Sequence, residues 1–256
     1  MWPPIFLRSY KLLLLCGMSA LRVFSLASLP ERYENLTHII PVILAQADVL
    51  HIHWVGYKTP VSEAWQDPKI IHHHWSKAGS QIKFQPYNLY KNAYFFTVDD
   101  DILYPSNYAE KMIEAMQHYN NKVVCCLHGN IIDLRQRGDF YTKYRKNINF
   151  KNALSANRRV LLPGTGTTCF YTPHAKLNYH DYIVYNMSDV YTGCFLAKQH
   201  IPVIAIQREA MWLQPMEDFG VRIFGNNPNE AIDREINRHR WYFRFNRYWF
   251  KCRYRL

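Results

Sequence analysis

The stretch YFFTVDDDILYP (94–105) limits the fold more than any other part of the chain. Its aromatic and β-branched start reads as a buried strand. That strand ends in Asp99, Asp100 and Asp101, adjacent carboxylates that repel one another and lose hydration wherever a strand end is enclosed. Its last residues must therefore reach a place where water, basic side chains or a cation answers the charge. On an extended chain Asp99 and Asp101 point to one side and Asp100 to the other. Asp99 and Asp101 are thus placed to share a ligand, and Asp100 is least placed to touch it. A turn of solvated acids is the bland alternative, and an apolar run leading straight into the acids weakens it.

The flanking sequence supplies an α/β frame. LRVFSLA (21–27) is a short apolar strand followed by the turn SLPER. ERYENLTHIIPVILAQA carries Leu36, Ile40, Ile43 and Ala47 at helical spacing, with a kink expected at Pro41. DVLHIHWV (48–55) is a second strand, and strand–helix–strand at this spacing implies a parallel unit. Residues 56–92 are less regular. PSNYAEKMIEAMQHYN sets Ala109, Met112, Ile113 and Met116 on one helix face, with Ser106 as the expected cap.

KVVCCL (122–127) is another buried strand, whereas DLRQRGDFYTKYRKNINFKN is polar and basic and reads as an excursion or loop. RRVLLPGTGTTCFYT is strand-like around a Gly-Thr-Gly turn, NMSDVYTGCFLAKQH is helical, and IPVIAI is a last strand. The expected fold class is α/β, a mixed, mainly parallel, Rossmann-like sheet flanked by helices, and 256 residues suit one substantial core.

The formal charge of +11 implies anionic company: phosphates, nucleic acid or an anionic membrane face. Much of it lies in the last nineteen residues, RHRWYFRFNRYWFKCRYRL, without which the charge falls to +4. Arginine interleaved with aromatics suits an interfacial segment at an anionic membrane. The same residue types serve base stacking, so a basic nucleic-acid-binding protein is the rival from another class, and packing of the tail on the core is a third reading. The cysteines form no C-x-x-C pair and read as free thiols in a reducing cytoplasm. The sequons at Asn35 and Asn186 matter only in a secretory compartment. Residues 1–17 read as an N-terminal extension ahead of Met18, the expected natural start; signal cleavage near Ser28 would destroy the first strand. HHH at 72–74 belongs to a strand or surface loop, since consecutive histidines cannot all face one ion and no Cys or acid sits at ligand spacing.

Two enzyme classes place D-x-D after such a strand. FFTVDDDIL resembles the haloacid-dehalogenase-like phosphatases, in which Asp99 would be a nucleophile. There the motif opens the core, whereas here a strand–helix–strand unit precedes it, and no late G-D-x-x-x-D pair follows. The second resemblance is broader. FSLASLPERYENLTHIIPVILAQADVLHIHWVGYKTP, KAGSQIKF, YFFTVDDDILYPSNYAEKMI, VVCCLHGN, LPGTGTTCFYTP and MSDVYTG…KQHIPVIAIQREAMWL occur in this order over about residues 20–215. Together they resemble bacterial surface-polysaccharide (capsule or lipopolysaccharide) glycosyltransferases of GT-A fold, D-x-D type.

That resemblance implies a glycosyltransferase domain over 18–237, with a nucleotide-sugar half at about 18–127 and an acceptor half at about 128–237, then the basic aromatic tail 238–256. It implies transfer of a sugar, with inversion, from a nucleotide-sugar (a UDP-sugar) to a growing surface glycan or lipid-linked acceptor. Mn²⁺ or Mg²⁺ would be held by Asp99 and Asp101. Donor contacts would come from Ser28, Arg32, Asp48, Lys83, Asp99 and Asp101. Asp189 would be the catalytic base, with His128 as the alternative base or an acceptor contact. Gly164, Thr165 and Gly166 would form an acceptor wall and Trp212 a sugar-stacking platform. The expected place of work is the cytoplasm, peripheral to the inner membrane face through 238–256, with no nucleic-acid partner.

Overall fold

The computed structural model describes residues 19–58, 65–136, 143–216 and 229–254. The expected extension 1–17, with Cys16, and the last two residues of the tail lie outside them. In chain order the strands are β1 (Leu21–Ser28), β2 (Val49–Val55), β3 (Ile70–Trp75), β4 (Ala93–Asp99), β5 (Ile102–Leu103), β6 (Val124–Cys126) and β7 (Gly129–Ile132). They continue as β8 (Arg145–Ile148), β9 (Arg158–Val160), β10 (Leu162–Pro163), β11 (Thr167–Tyr171), β12 (Val203–Ala205) and β13 (Gln214–Pro215). The helices are α1 (Tyr33–Leu44), α2 (Tyr108–His118), α3 (Ser188–Lys198) and α4 (Asn229–Tyr254).

The large sheet runs β3-β2-β1-β4-β11-β6-β12-β9. β3, β2, β1 and β4 are parallel to one another and β12 is parallel to β6, while β11 and β9 run against their neighbours. The fold is thus mixed α/β with a mostly parallel sheet of Rossmann-like character. A small antiparallel sheet, β10-β7-β8, and the pair β13-β5 stand beside it.

Alternation along the central strands builds two cores. Phe24, Leu26, Phe96 and Val98 face α1 and α2, which return Leu36, Ile39, Ile40, Ile43, Met112 and Met116. Val23, Phe95 and Phe170 face the other way, against Val190, Cys194 and Leu196 of α3 and Ile232, Ile236 and Phe243 of α4. α4 runs through residue 238 without a break, so the first part of the basic tail is packed on the core. Its outer face exposes Trp241 and Phe245, stacked at 5.4 Å. No helix among the described residues is long and apolar enough to cross a membrane.

Two local expectations are corrected. Ser106 does not cap α2: its N-cap is Asn107, whose side chain makes no capping bond. Gln46, from the turn after α1, takes that role by accepting from Ala109 N at 2.8 Å. Within the supposed excursion, RKNI folds as β8 and completes the small sheet against β7.

The histidine-rich strands have a structural use. On one face of β2 and β3, His51 and His53 each stack on His73, at 5.1 and 4.6 Å. Their ring nitrogens meet Tyr90 Oη, Ser25 Oγ and the Trp75 indole N–H, and His51 and His73 bond each other at 2.8 Å. Burial pushes His51 down to about 3 and His73 to about 4, with neighbouring rings adding to both shifts, and holds His53 well below its ordinary 6.5. The set is therefore neutral in the fold. Its stabilising contribution is complete above pH 6.5 and is lost as pH falls from there toward the folded-state values. Thermal denaturation should show a midpoint that drops between pH 7 and pH 5. His73→Asn should flatten that drop, the underlying fall in unfolding free energy becoming shallower by up to about 1.4 kcal/mol per pH unit. Equal slopes in both proteins would contradict this role.

Candidate functional site

β2 and β3 lie on one side of β1 and β4 on the other, so the order reverses between β1 and β4. In open α/β sheets the crevice beyond the carboxyl ends of the strands at such a point is the natural ligand site. Asp99, the last residue of β4, pairs with Ala27 of β1 there. A cleft of about 600 Å³ opens at this edge, within the size range of small-molecule sites.

The three acids divide their work. Asp100 is buried: Oδ1 accepts from Arg32 Nη1 at 2.7 Å and Oδ2 from Leu29 N at 3.3 Å, while its carbonyl accepts from Asn35 Nδ2 at 2.9 Å. Asn35 is thereby spent inside the fold. Asp99 and Asp101 keep 39% and 29% of their side-chain surface exposed and line the cleft. Lys83 Nζ bonds Asp99 Oδ1, and Arg32 Nη1 reaches Asp101 Oδ2 at 3.1 Å. Burial, followed by the Asp99 charge, lifts Asp101 to about 6. Burial likewise raises Asp100, against the pull of Arg32.

The wall opposite the acids is the loop Gly164–Gly166 with the start of α3. Asp189, in the first turn of α3, accepts from Thr165 N at 2.9 Å and Thr165 Oγ1 at 2.7 Å, both through Oδ1. Thr165 Oγ1 also meets Ser188 Oγ, which meets Ser80 Oγ, each at 2.8 Å. Thr165 O accepts from the buried Lys83 ammonium at 3.0 Å. Thr165 therefore links the two sides, with Asp189 on its amide and hydroxyl and Lys83–Asp99 on its carbonyl. A Cβ on Gly166 would collide with the Asp99 carboxylate, so glycine is what lets the loop close over the strand end. Tyr104 Oη accepts from Asp99 N at 2.8 Å and donates to Gly166 O at 2.6 Å, pinning the same junction.

Among the residues singled out from sequence, Ser28, Arg32, Lys83, Asp99, Asp101, His128, Gly164, Thr165, Gly166 and Asp189 line this cleft together. Ser28 shares its hydroxyl with Tyr57 Oη at 3.2 Å. His128 is held by its backbone, donating to Thr167 Oγ1 at 2.9 Å and accepting from Gly164 N at 2.8 Å. Burial lowers its pKa against the charge of Asp189, which leaves a neutral imidazole.

Asp48 and Trp212 are elsewhere. Asp48 precedes β2 and accepts from Arg22 N at 2.8 Å, at the amino end of the strands about 20 Å from the cleft. Trp212 packs beside Tyr108, with ring centroids 6.2 Å apart, and does not line the cleft. The sequence reading also missed Asn130, Arg145, Asn147 and Tyr104. A period-two reading of RKNI would have placed Arg145 and Asn147 on one face. No protein-family model matches the chain, and a search of the curated proteins finds no match either.

Stability should therefore separate neighbouring acids. At pH 7.5 Asp100→Asn strips Arg32 of its main buried partner and should cost on the order of 3 kcal/mol in urea denaturation. Asp101→Asn should leave stability unchanged or raised. Its side chain is 29% exposed, its contact with Arg32 is the longer one at 3.1 Å, and it faces the repulsion of Asp99 and Asp100, whereas Asp100 is enclosed with Arg32 at 2.7 Å. Equal losses in the two variants would remove this division of labour.

Proposed function

We propose that the chain is a glycosyltransferase of GT-A type that moves a sugar from a nucleotide-sugar, a UDP-sugar, to a glycan or glycolipid acceptor. The observation that carries this reading is the placement of Asp99 and Asp101. They open on the cleft at the reversal of strand order, while Asp100 is consumed by the fold. Their donor set fits Mn²⁺ or Mg²⁺: two part-exposed carboxylates, one of them reluctant to ionise, with the remaining positions left to phosphate oxygens and water. Among the described residues no three His, Cys, Asp or Glu side chains are grouped to hold a metal. A bound cation would supply Lewis-acid stabilisation of the departing nucleoside diphosphate.

The protein's own residues set up the rest. Lys83 and Arg32 act first on the carboxylates, fixing their rotamers and screening their repulsion, before either meets a donor phosphate. Asp189 is the general base in this reading. Both Thr165 bonds fall on Oδ1, and Oδ2 makes no hydrogen bond among the described residues, so one oxygen positions the group and the other takes the acceptor proton. His128, neutral and beside the glycine loop, orients the acceptor hydroxyl. Trp241 and Phe245, with the exposed Arg234 and Arg238 earlier on α4, support peripheral contact with an anionic membrane face.

Calorimetry should show UDP binding that needs Mn²⁺, disappears in Asp101→Ala and weakens below about pH 6 as Asp101 takes up a proton. UDP binding that is indifferent to metal, or no binding at all, would overturn the reading. With the preferred UDP-sugar found by a hydrolysis screen, Asp189→Asn should keep UDP affinity and lower turnover about 10²–10⁴-fold. Near-wild-type turnover would assign the proton to another group.

A further inference from the structure

A second cavity, of about 830 Å³, lies along the β7–β8 pair and shares Arg145 with the lining of the cleft. Successive pairs of one ladder contribute to both linings. Asn130 and its partner Asn147 line the cleft, whereas Ile131, Ile132 and Lys146 line the second cavity, and Arg145 lines both. Arg145 and Asn147 are two residues apart on one strand, about 7 Å. Arg145 thus stands one pleat repeat from the Asn130–Asn147 pair that lines the cleft.

The lining is cationic to an unusual degree: Arg135, Lys143, Arg145, Lys146, Arg158 and Arg159, from β8, β9 and their flanking turns. Asp133 is the one acid among the described lining residues, and it is committed to Arg135 through bonds of 2.9 and 2.8 Å. Lys143, Lys146 and Arg158 make no ion pair among the described residues. Like charges gathered round one concavity raise its potential and concentrate anions there. Planar guanidinium donors suit the tetrahedral oxygens of a phosphoryl group. Ile131, Ile132, Leu134, Leu161 and Phe243 give the same cavity an apolar floor, which a merely solvated basic face would lack.

We propose that this cavity binds a phosphoryl group, a mono- or diphosphate ester carried by the acceptor, with Arg145 at the boundary between that group and the donor cleft. The word acceptor rests on the transferase reading; the anion site rests on the cavity alone.

The probe is inorganic pyrophosphate, titrated calorimetrically into the full chain at low ionic strength in EDTA, so that metal-bridged binding at the acids is silent. Saturable binding is expected, weakened about tenfold or more in Lys146→Gln/Arg158→Gln and not weakened in Asp99→Asn/Asp101→Asn. Both basic residues are exposed, so the double variant should fold, and Lys143→Gln/Lys146→Gln provides a second test. No binding by the wild type, wild-type affinity in both basic double variants, or loss confined to the acid variant overturns the site.

A dodecyl diphosphate in detergent and glucose 1-phosphate separate the sources. Tighter binding of the alkyl ester assigns the group to a lipid and equal binding to a soluble ester, and either upholds the cavity. Mn²⁺-dependent UDP binding, measured on the same proteins, reads the cleft separately. If it is absent while pyrophosphate still binds, the transferase reading and the acceptor assignment fall and the anion site stands. In the converse case the cavity proposal falls and the cleft reading stands.

Discussion

Asp100 and Arg32 bury their charges against each other at 2.7 Å, and the carboxyl edge of the large sheet is arranged around that pair. Removing two charges from water is expensive, and attraction offsets the expense only where further bonds complete both groups. Here Leu29 N binds the second carboxylate oxygen, and Asn35 binds the carbonyl of the same residue. These contacts tie the end of β4 to the turn after β1 and to the first turns of α1. A strand end that would otherwise fray becomes fixed, and with it the directions of the residues on either side. Asp99 and Asp101 are positioned because Asp100 is not available to a ligand.

Fixing the strand end answers only half of the geometry, because the opposite wall arrives from residues more than sixty positions later. Thr165 makes that connection. It presents its amide and hydroxyl to Asp189 and its carbonyl to Lys83, which in turn holds Asp99. The two carboxylates with proposed chemical roles are therefore positioned through one residue. Gly166 and Tyr104 make the close approach sterically possible and then pin it. Such a linkage favours rigidity over adaptability, which suits a site that must hold charge in place before a ligand enters.

Much of this was legible where the signal was local. Period-two alternation separated Asp100 from Asp99 and Asp101, and apolar periodicity located β1, β2 and β4 to within a residue and α1 and α2 to within three. What escaped depended on pairing across long separations. Gln46 as the cap of α2, Lys83 against Asp99 and Thr165 against Asp189 are side-chain contacts that no sequence window contains. Asp48 shows a different failure. In a parallel sheet every carboxyl end gathers on one side, so an acid at the start of β2 falls at the far end from one at the close of β4. That inference needed only the parallel reading already in hand. Trp212 was chosen for its chemistry, and the core beside Tyr108 had the stronger claim on it. The basic stretch before the glycine loop looked like solvated excursion because charge masks alternation. Its strand character emerges only when β7 pairs with it.

The distribution of charge completes the argument. A net +11 spread evenly would attract any polyanion to any face, and affinity of that kind carries no direction. In the folded chain the charges are sorted by place. At the edge between β1 and β4 the acids outnumber the bases that hold them: Asp99, Asp100 and Asp101 against Arg32 and Lys83. Along β8 and β9 the imbalance reverses, with Asp133 the lone acid among the described lining residues and already bound. A cation is favoured at the first place and an anion at the second, and the two adjoin at Arg145, which lines both. An extended ligand crossing that boundary would experience a gradient along its length rather than a uniform field. Such a gradient would orient it before any specific hydrogen bond forms, and it arises because Arg145 and Asn147 of β8 line the same cleft as Asp99 at the end of β4.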